Sequence, residues 1–343
     1  MIDIPTTMRR VVVTADGVVV ETAPVPQPGA GEALVEMHVA GVCGSDTHAS
    51  HGRHPFLPLP YRPGHEVVGT VRSVGTGVSG PSVGARVTAE PTLPCWTCKM
   101  CTTGRSNLCE NLRFFGCGDD QGGMAGYFTI PADRLHVVPD GLDDLQAALI
   151  EPLATPVHAT RLAGGLTGKA VAILGAGTIG LLLLAAVRHR GARRVVVTDV
   201  LPSKRERALR LGADAVVDPT RPDAVGQVRA ALGESADVVF DCVAVQTTVD
   251  QAIAIALKAG TVVVVGVAAR DVTVPLPLVQ DQQVRIQGSA TYLPEDYRDA
   301  IEILISGAIR TEDYVTATLP LDHAAEAFAL SAAGEQVKVV LTA

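Results

Sequence analysis

The chain has 343 residues, a formal net charge of −8, and 47% hydrophobic against 19% charged residues. That length exceeds one simple core and predicts two domains. The acidic balance repels a phosphate backbone, which disfavours a nucleic-acid partner.

The opening MIDIPTTMRRVVVTADG lacks the unbroken apolar stretch of a secretory signal. The longest greasy run, LLLLAAV after Gly180, is too short to span a bilayer. Seven cysteines, four of them clustered, fit metal ligation in a reducing compartment better than disulfides. These features predict a soluble cytoplasmic protein with no membrane partner.

MRRVVVTA, GVVVETA, EALVEMHVAGV, HEVVGTVRSVG and ARVTAE read as short β-branched strands separated by Pro and Gly turns. This first part is a strand-and-loop domain with little helix, and its loops carry most of the Cys and His. From about Glu151 the texture changes. LATPVHATRLAG has helical spacing, and strands then alternate with helices: KAVAILG, TIGLLLLAAVRHRGA, RRVVVTD, PSKRERALRLG, DAVVD, PDAVGQVRAALG, ADVVFDCV, TTVDQAIAIALKAG, TVVVVGVA and VRIQGSAT. Unbroken Val-rich strands predict a parallel, doubly wound α/β sheet covered on both faces. The tail holds a helix (EDYRDAIEILISG), a strand (YVTATLP), a helix (DHAAEAFALSAAG) and a strand (VKVVLTA). It is too small to stand alone. The expected division is therefore 1–152, 153–291 and a tail, 292–343, that returns to the first domain.

Gly175, Gly177 and Gly180 fit G-x-G-x-x-G, with Ala176, Thr178 and Ile179 between them. The motif follows a strand and opens a helix, the context required of a dinucleotide site. The first Gly makes the turn, the second admits the pyrophosphate, and the third allows helix–strand packing. Helix N–H groups, those of Thr178 and Ile179 among them, then face the diphosphate. Asp199 ends the next strand, where a carboxylate accepts from the ribose hydroxyls and repels a 2′-phosphate. NAD(H) is expected over NADP(H), with Lys204 and Arg205 close by.

Cys95, Cys98, Cys101 and Cys109 offer four thiolates in one loop, PCWTCKMCTTGRSNLCENL. Four soft sulfurs suit tetrahedral zinc and leave no open position, so this site is structural. An iron–sulfur cluster differs in the spacing of the fourth Cys. A zinc-ribbon nucleic-acid module is opposed by the charge. Cys43, Ser45, Asp46 and His48, then Gly64-His65-Glu66, then Glu151-Pro152-Leu153, add a thiolate, an imidazole and two carboxylates. That set suffices for a three-ligand zinc with an open site. Cys117 and Cys242 read as small core residues.

These residues resemble the medium-chain, zinc-containing alcohol and polyol dehydrogenases, from GEALVEMHVAGVCGSDTH through the four-Cys loop and GAGTIG to KVVLT. The resemblance implies a GroES-like catalytic domain, a Rossmann domain and an active site in the cleft between them. It implies two zincs per chain and NAD. Cys43 and His65 are then ligands of the catalytic zinc, with Glu66 and Glu151 sharing the carboxylate role. Asp46 is the acceptor that orients His65. Ser45 and His48 form a proton path, with His48 standing beside His51 and His54. Lys338 is similar to a basic residue that binds cofactor phosphate. EPL looks like the sorbitol/polyol branch, while Ala49 and Ser50 replace aromatics frequent there. GSATYLPEDYRDAIEIL resembles butanediol-type enzymes, and Phe56, Phe115 and Tyr292 are candidate pocket walls. The expected substrate is a secondary alcohol, vicinal diol or polyol oxidised to a ketone. An L-threonine 3-dehydrogenase-like enzyme and a non-catalytic NAD(H)-binding protein are the alternatives. A homodimer or homotetramer is implied, through sheet continuation near TVVVVGVAARDVTV.

Overall fold

The structure, a computed structural model, describes residues 4–50, 59–118 and 121–343. The first segment runs β1 (Thr7–Thr14), β2 (Gly17–Pro24), β3 (Glu32–Val42), α1 (Gly44–Ser50), β4 (Glu66–Val74), β5 (Arg86–Ala89), β6 (Thr92–Leu93), α2 (Lys99–Thr102), β7 (Arg113–Phe114), β8 (Tyr127–Pro131), β9 (Leu135–Val137) and α3 (Asp144–Ala147). Next come α4 (Ile150–Ala163), β10 (Ala170–Leu174), α5 (Thr178–His189), β11 (Arg194–Thr198), α6 (Pro202–Arg210), β12 (Ala215–Val217), α7 (Ala224–Leu232), β13 (Ala236–Asp241), α8 (Gln246–Ile255), β14 (Ala256–Val264), α9 (Leu276–Gln282) and β15 (Arg285–Gly288). The tail adds α10 (Pro294–Ile305), α11 (Thr311–Tyr314), β16 (Val315–Pro320), α12 (Ala324–Ala332) and β17 (Lys338–Thr342).

Two compact units result: residues 1–151 with 293–343, and residues 152–292. The first unit is built on a seven-stranded sheet ordered β16-β17-β3-β4-β5-β9, with β8 also paired to β3. The tail joins it because Val339–Thr342 of β17 pair antiparallel with Val39–Val42 of β3. Alternating residues explain the burial. Val35, Met37, Val67, Val71 and Phe128 fill one core, whereas Glu36, Thr70 and Arg72 point away from it.

The second unit holds a parallel sheet ordered β12-β11-β10-β13-β14-β15. Its central strand β10, AVAIL, is buried at every residue, as a strand covered on both faces must be. α5 is buried continuously from Gly180 to Val187, which explains its apolar run. α6 has Pro202 at its first turn, and α7 ends on Gly233 in the left-handed region.

Some expectations shift. Residues 44–50 form a helix rather than a loop. Cys43 N–H donates to Asp46 Oδ2 at 3.1 Å, which closes the first turn. The helix expected through 260 stops at Ile255, because Ala256 already pairs with Ala236 in the parallel sheet. The 261–274 stretch was expected at a sheet edge, but β14 lies one strand inside and β15 takes the edge. No helix among the described residues is long and apolar enough to cross a membrane.

Candidate functional site

The cysteine loop brings its four thiols together as a group whose sulfurs all lie within 4.8 Å of one another. Cys98 Sγ is 3.5 Å from Cys101 Sγ and 3.9 Å from Cys109 Sγ. A zinc–sulfur bond of about 2.3 Å gives a tetrahedral edge of about 3.8 Å, so these separations fit one zinc. Cys109 Sγ also accepts from Cys95 N–H at 3.2 Å and from Asn111 N–H at 3.3 Å. Such bonds stabilise sulfur as thiolate. The Thr97 hydroxyl does most to pull the Cys95 thiol down to about 5. Desolvation, with the Cys98 contact, pushes Cys101 up to about 12.

The second group is Cys43, His65 and Glu66, again within 4.8 Å. Cys43 follows β3, and His65 and Glu66 stand where β4 begins; β3 and β4 pair antiparallel, with Gly41 opposite Glu66. A Cβ on Gly41 would overlap the Glu66 carboxylate, so the glycine makes room for it. One thiol, one imidazole and one carboxylate are donors that zinc accepts, with a position left open. Burial disfavours the His65 imidazolium, yet Cys117, Cys43 and Asp46 together hold it well above its ordinary range.

Glu66 has a further partner. Lys338 Nζ lies 2.6 Å from Glu66 Oε1 and 2.7 Å from Oε2, and donates to Val42 O at 3.3 Å. Burial pushes the Lys338 ammonium down, but Glu66 draws it above its usual value. Lys338, expected to bind cofactor phosphate, thus stands in this structure between the Glu66 carboxylate and the Val42 carbonyl. Glu151 is buried in the first turn of α4, outside that group of three.

Asp46 is fully buried, and burial raises its carboxyl above the usual range. Its oxygens accept from Cys43 N–H and from Tyr61 OH, both at 3.1 Å. Ser45 is half-buried and His48 exposed; at a spacing of three they share one face of α1. His51, His54 and Phe56 lie outside the described residues. Phe115 packs against Phe128 at 5.1 Å in the core, and Tyr292 is buried in the second unit.

Phe114 escaped the sequence reading, and Cys117, read there as a small core residue, is only half-buried and stands beside His65. Phe114 sets its ring edge-on to His65 at 5.7 Å. Cys117 places Sγ 3.3 Å from His65 Nδ1 and joins Asp46 and His65 in a third group within 4.8 Å. No sequence spacing ties either residue to Cys43; the end of β7 and the turn after it bring them there.

In the second unit, Gly175 takes φ +98°, and a Cβ there would meet Val243 Cγ2 at 2.7 Å. A Cβ on Gly180 would overlap the Gly175 carbonyl, whereas Gly177 faces open space as the N-cap of α5. Thr178 and Ile179 open that helix. Asp199 is drawn to this turn, its Oδ2 accepting from Ala176 N–H and its Oδ1 from Leu201 N–H, both at 2.9 Å. Lys204 lies half-buried on α6, and the neighbouring Arg205 donates to the Asp199 and Val200 carbonyls.

Residues 29–140 match the alcohol dehydrogenase GroES-like domain, and residues 178–306 match the zinc-binding dehydrogenase domain. A sorbitol dehydrogenase of Gallus gallus is 36% identical over 327 residues, covering 94% of this chain and 92% of that protein. A structure from Sinorhizobium meliloti bound to NADP superposes with a TM-score of 0.91 at 34% identity, covering 99% of this chain and 100% of that one. The 2R,3R-butanediol dehydrogenase of Bacillus subtilis gives a TM-score of 0.91 at 28% identity, covering 98% and 99%.

Proposed function

The chain belongs to the zinc-binding dehydrogenase family with an alcohol dehydrogenase GroES-like domain, and from that premise we propose that it oxidises a secondary alcohol, vicinal diol or polyol to the ketone, reversibly, with NAD. The observation that carries this reading is the meeting of half-buried Cys43 with buried His65 and Glu66 in one group, in a chain that also builds a dinucleotide turn. Similarity to sorbitol and butanediol dehydrogenases supports the substrate class.

Cys43, His65 and Glu66 would hold the catalytic zinc, and Cys95, Cys98, Cys101 and Cys109 the structural one. Bound at the first set, zinc supplies Lewis acidity toward an alcohol or carbonyl oxygen. NAD supplies the acceptor for hydride from the carbinol carbon. Glu66 is taken as the direct carboxylate ligand because, among the described residues, it is the carboxylate grouped with that thiol and imidazole. Ser45 Oγ would accept the substrate hydroxyl proton as it releases its own, and exposed His48 on the same helix face would take up the released proton and pass it to solvent. The backbone at Gly175, Gly177, Thr178, Ile179 and Gly180 holds the diphosphate. Asp199 favours NAD over NADP by repelling a 2′-phosphate. Free thiols at all seven cysteines suit the reducing cytoplasm. The edge position of β15 suits assembly into a homodimer or homotetramer.

The test is NADH formation across secondary alcohols, vicinal diols, polyols and L-threonine, run in parallel with NADP. Turnover with a diol or polyol and a clear preference for NAD is expected. Turnover confined to L-threonine would move the chain to the 3-hydroxy amino acid branch. NADH binding without any turnover would overturn the enzymatic reading in favour of an NAD(H)-binding protein.

A further inference from the structure

Asp199 and Asp218 occupy matching places in neighbouring strands. Each follows the last residue of its strand, Thr198 of β11 and Val217 of β12, and those two residues are partners in the parallel pairing. The Asp199 N–H also donates to Val217 O at 3.4 Å. The two carboxylates are held by different means. Asp199 accepts from the Ala176 and Leu201 N–H groups. Asp218 Oδ1 accepts from Thr220 N–H at 3.0 Å and from the Thr220 hydroxyl at 2.6 Å, while its Oδ2 stands 3.8 Å from Arg205 Nη2 and 3.9 Å from Arg221 Nε. The Thr220 bonds first, then the two guanidinium charges, keep the Asp218 carboxyl below its ordinary range.

Arg205 bridges these strand ends. It sits near the start of α6, where its N–H donates to Leu201 O at 3.1 Å. Its Nη1 donates to Asp199 O at 2.8 Å and to Val200 O at 3.0 Å. A guanidinium is a rigid plane of five N–H donors, so fixing Nη1 on the turn carbonyls also directs Nη2, here toward Asp218. The Arg205 side chain is 18% exposed against 67% for Arg221, so Arg205 is the cation built into the turn. An acid at the end of this strand receives the ribose hydroxyls of NAD, whereas an arginine nearby accommodates the 2′-phosphate of NADP. This chain has both, and its arginine is engaged by the turn and by Asp218.

We propose that Asp218 is a positioning residue that sets cofactor choice: it holds the Arg205 guanidinium against the Asp199–Val200 turn and so withholds it from a 2′-phosphate. Asp199 excludes that phosphate by repulsion. Asp218 excludes it by retaining the cation that would receive it. This rests on the NAD reading given above. Its consequence is that removing Asp199 alone relaxes the preference for NAD without building a site for NADP.

The experiment measures NADH and NADPH affinity by titration calorimetry on the full chain, and reads the ratio of the two. The proteins are wild type, Asp199→Ser, Asp199→Ser with Asp218→Asn, and that pair with Arg205→Met. Asn at 218 keeps the oxygen that accepts from Thr220, so the turn after β12 is retained. A hydrogen bond from a guanidinium to a phosphate is worth about tenfold in affinity or more, so adding Asp218→Asn to Asp199→Ser should shift the ratio toward NADPH by about that factor. Adding Arg205→Met should abolish the shift. A merely structural role for Arg205 or Asp218 would weaken both dinucleotides together and leave the ratio unmoved. A ratio that Asp218→Asn does not change overturns the proposal. So does a shift that persists without Arg205, because Asp218 then acts by its own repulsion. Wild-type protein separates the two readings. If it binds neither dinucleotide, or prefers NADPH, the NAD reading fails and takes the proposal with it; if it prefers NADH while Asp218→Asn leaves the ratio unmoved, only the proposal fails.

Discussion

Lys338 and Glu66 are 3% and 1% exposed in their side chains, and neither has water to fall back on. Their pairing across β17 and β4 joins tail to first segment through charge as well as through the sheet. Truncating one member of a buried pair leaves the other charge uncompensated, which costs about 3–5 kcal/mol. In chelator-treated protein, Lys338→Met should lose stability on that scale in urea unfolding. Glu66→Gln added to Lys338→Met should restore most of it, since no bare charge then remains. Zinc-loaded protein should lose less, because the metal gives the same carboxylate a second positive neighbour. A loss under about 1 kcal/mol without metal, the range of an exposed pair, would show that water reaches Glu66. None of this was legible in VKVVLTA, where an isolated lysine on a final strand looks solvent-facing. Cys43, His65 and Glu66 could be gathered from sequence because each offers a metal donor. The lysine's partner depends on the pairing of β17 with β3, a contact across about 300 residues of chain that local pattern does not encode.

At the scale of elements, the cysteine loop shows what replaces a hydrophobic core. α2 has no buried residue, so four sulfurs and their N–H donors organise the turn. Its spacing was readable because the donors are local. Its anchorage was not: Arg134 lies 4.9 Å over the Trp96 ring and reaches Glu90 at 2.9 Å, and Glu90 also meets His136 Nε2 at 2.8 Å. Trp96 is the only tryptophan in the chain, so its emission reports this element alone. Replacing Cys98 and Cys101 together with Ser should halve the zinc content, from two per chain to one. Trp96 emission should change as the loop loses order. Two zincs retained in that variant, by atomic emission, would contradict the four-sulfur assignment. α1 is the opposite case. GSDTHAS lacks helical apolar periodicity, and it is helical because Asp46 reaches back to Cys43 N–H and Thr47 Oγ donates to Gly44 O at 2.8 Å. Side-chain caps of that kind organise residues that carry chemistry, and a reading based on periodicity passes over them.

At the scale of the molecule, the two units take different ligands. All three sulfur-containing groups, with Lys338, belong to residues 1–151 and 293–343. The glycine turn and Asp199 belong to residues 152–292. The second unit's strand order β12-β11-β10-β13-β14-β15 reverses between β10 and β13, and dinucleotides bind beyond the carboxyl ends of strands at such a reversal. That architecture could be read from alternation alone, because each βαβ step is local and right-handed by default. In the first unit the strands and the return of the tail were readable, but the strand order was not, because β16 and β17 come from the far end of the chain. A ligand that binds only the folded state stabilises what it binds, by about 2.7 kcal/mol at a hundredfold excess over Kd. Hydrogen exchange should therefore respond unit by unit. Saturating NADH should slow exchange in peptides covering β10, the start of α5 and the end of β11. Zinc chelation should speed exchange in peptides covering residues 95–109, the β3–α1 junction, the start of β4 and β17. If β17 exchanges at the same rate with and without zinc while residues 95–109 open, then Lys338 alone holds Glu66 in place and the metal adds nothing to the closure of that sheet. If chelation instead loosens both units equally, the chain unfolds as one cooperative body, and the separation of metal and nucleotide functions drawn from the residues would not describe its energetics.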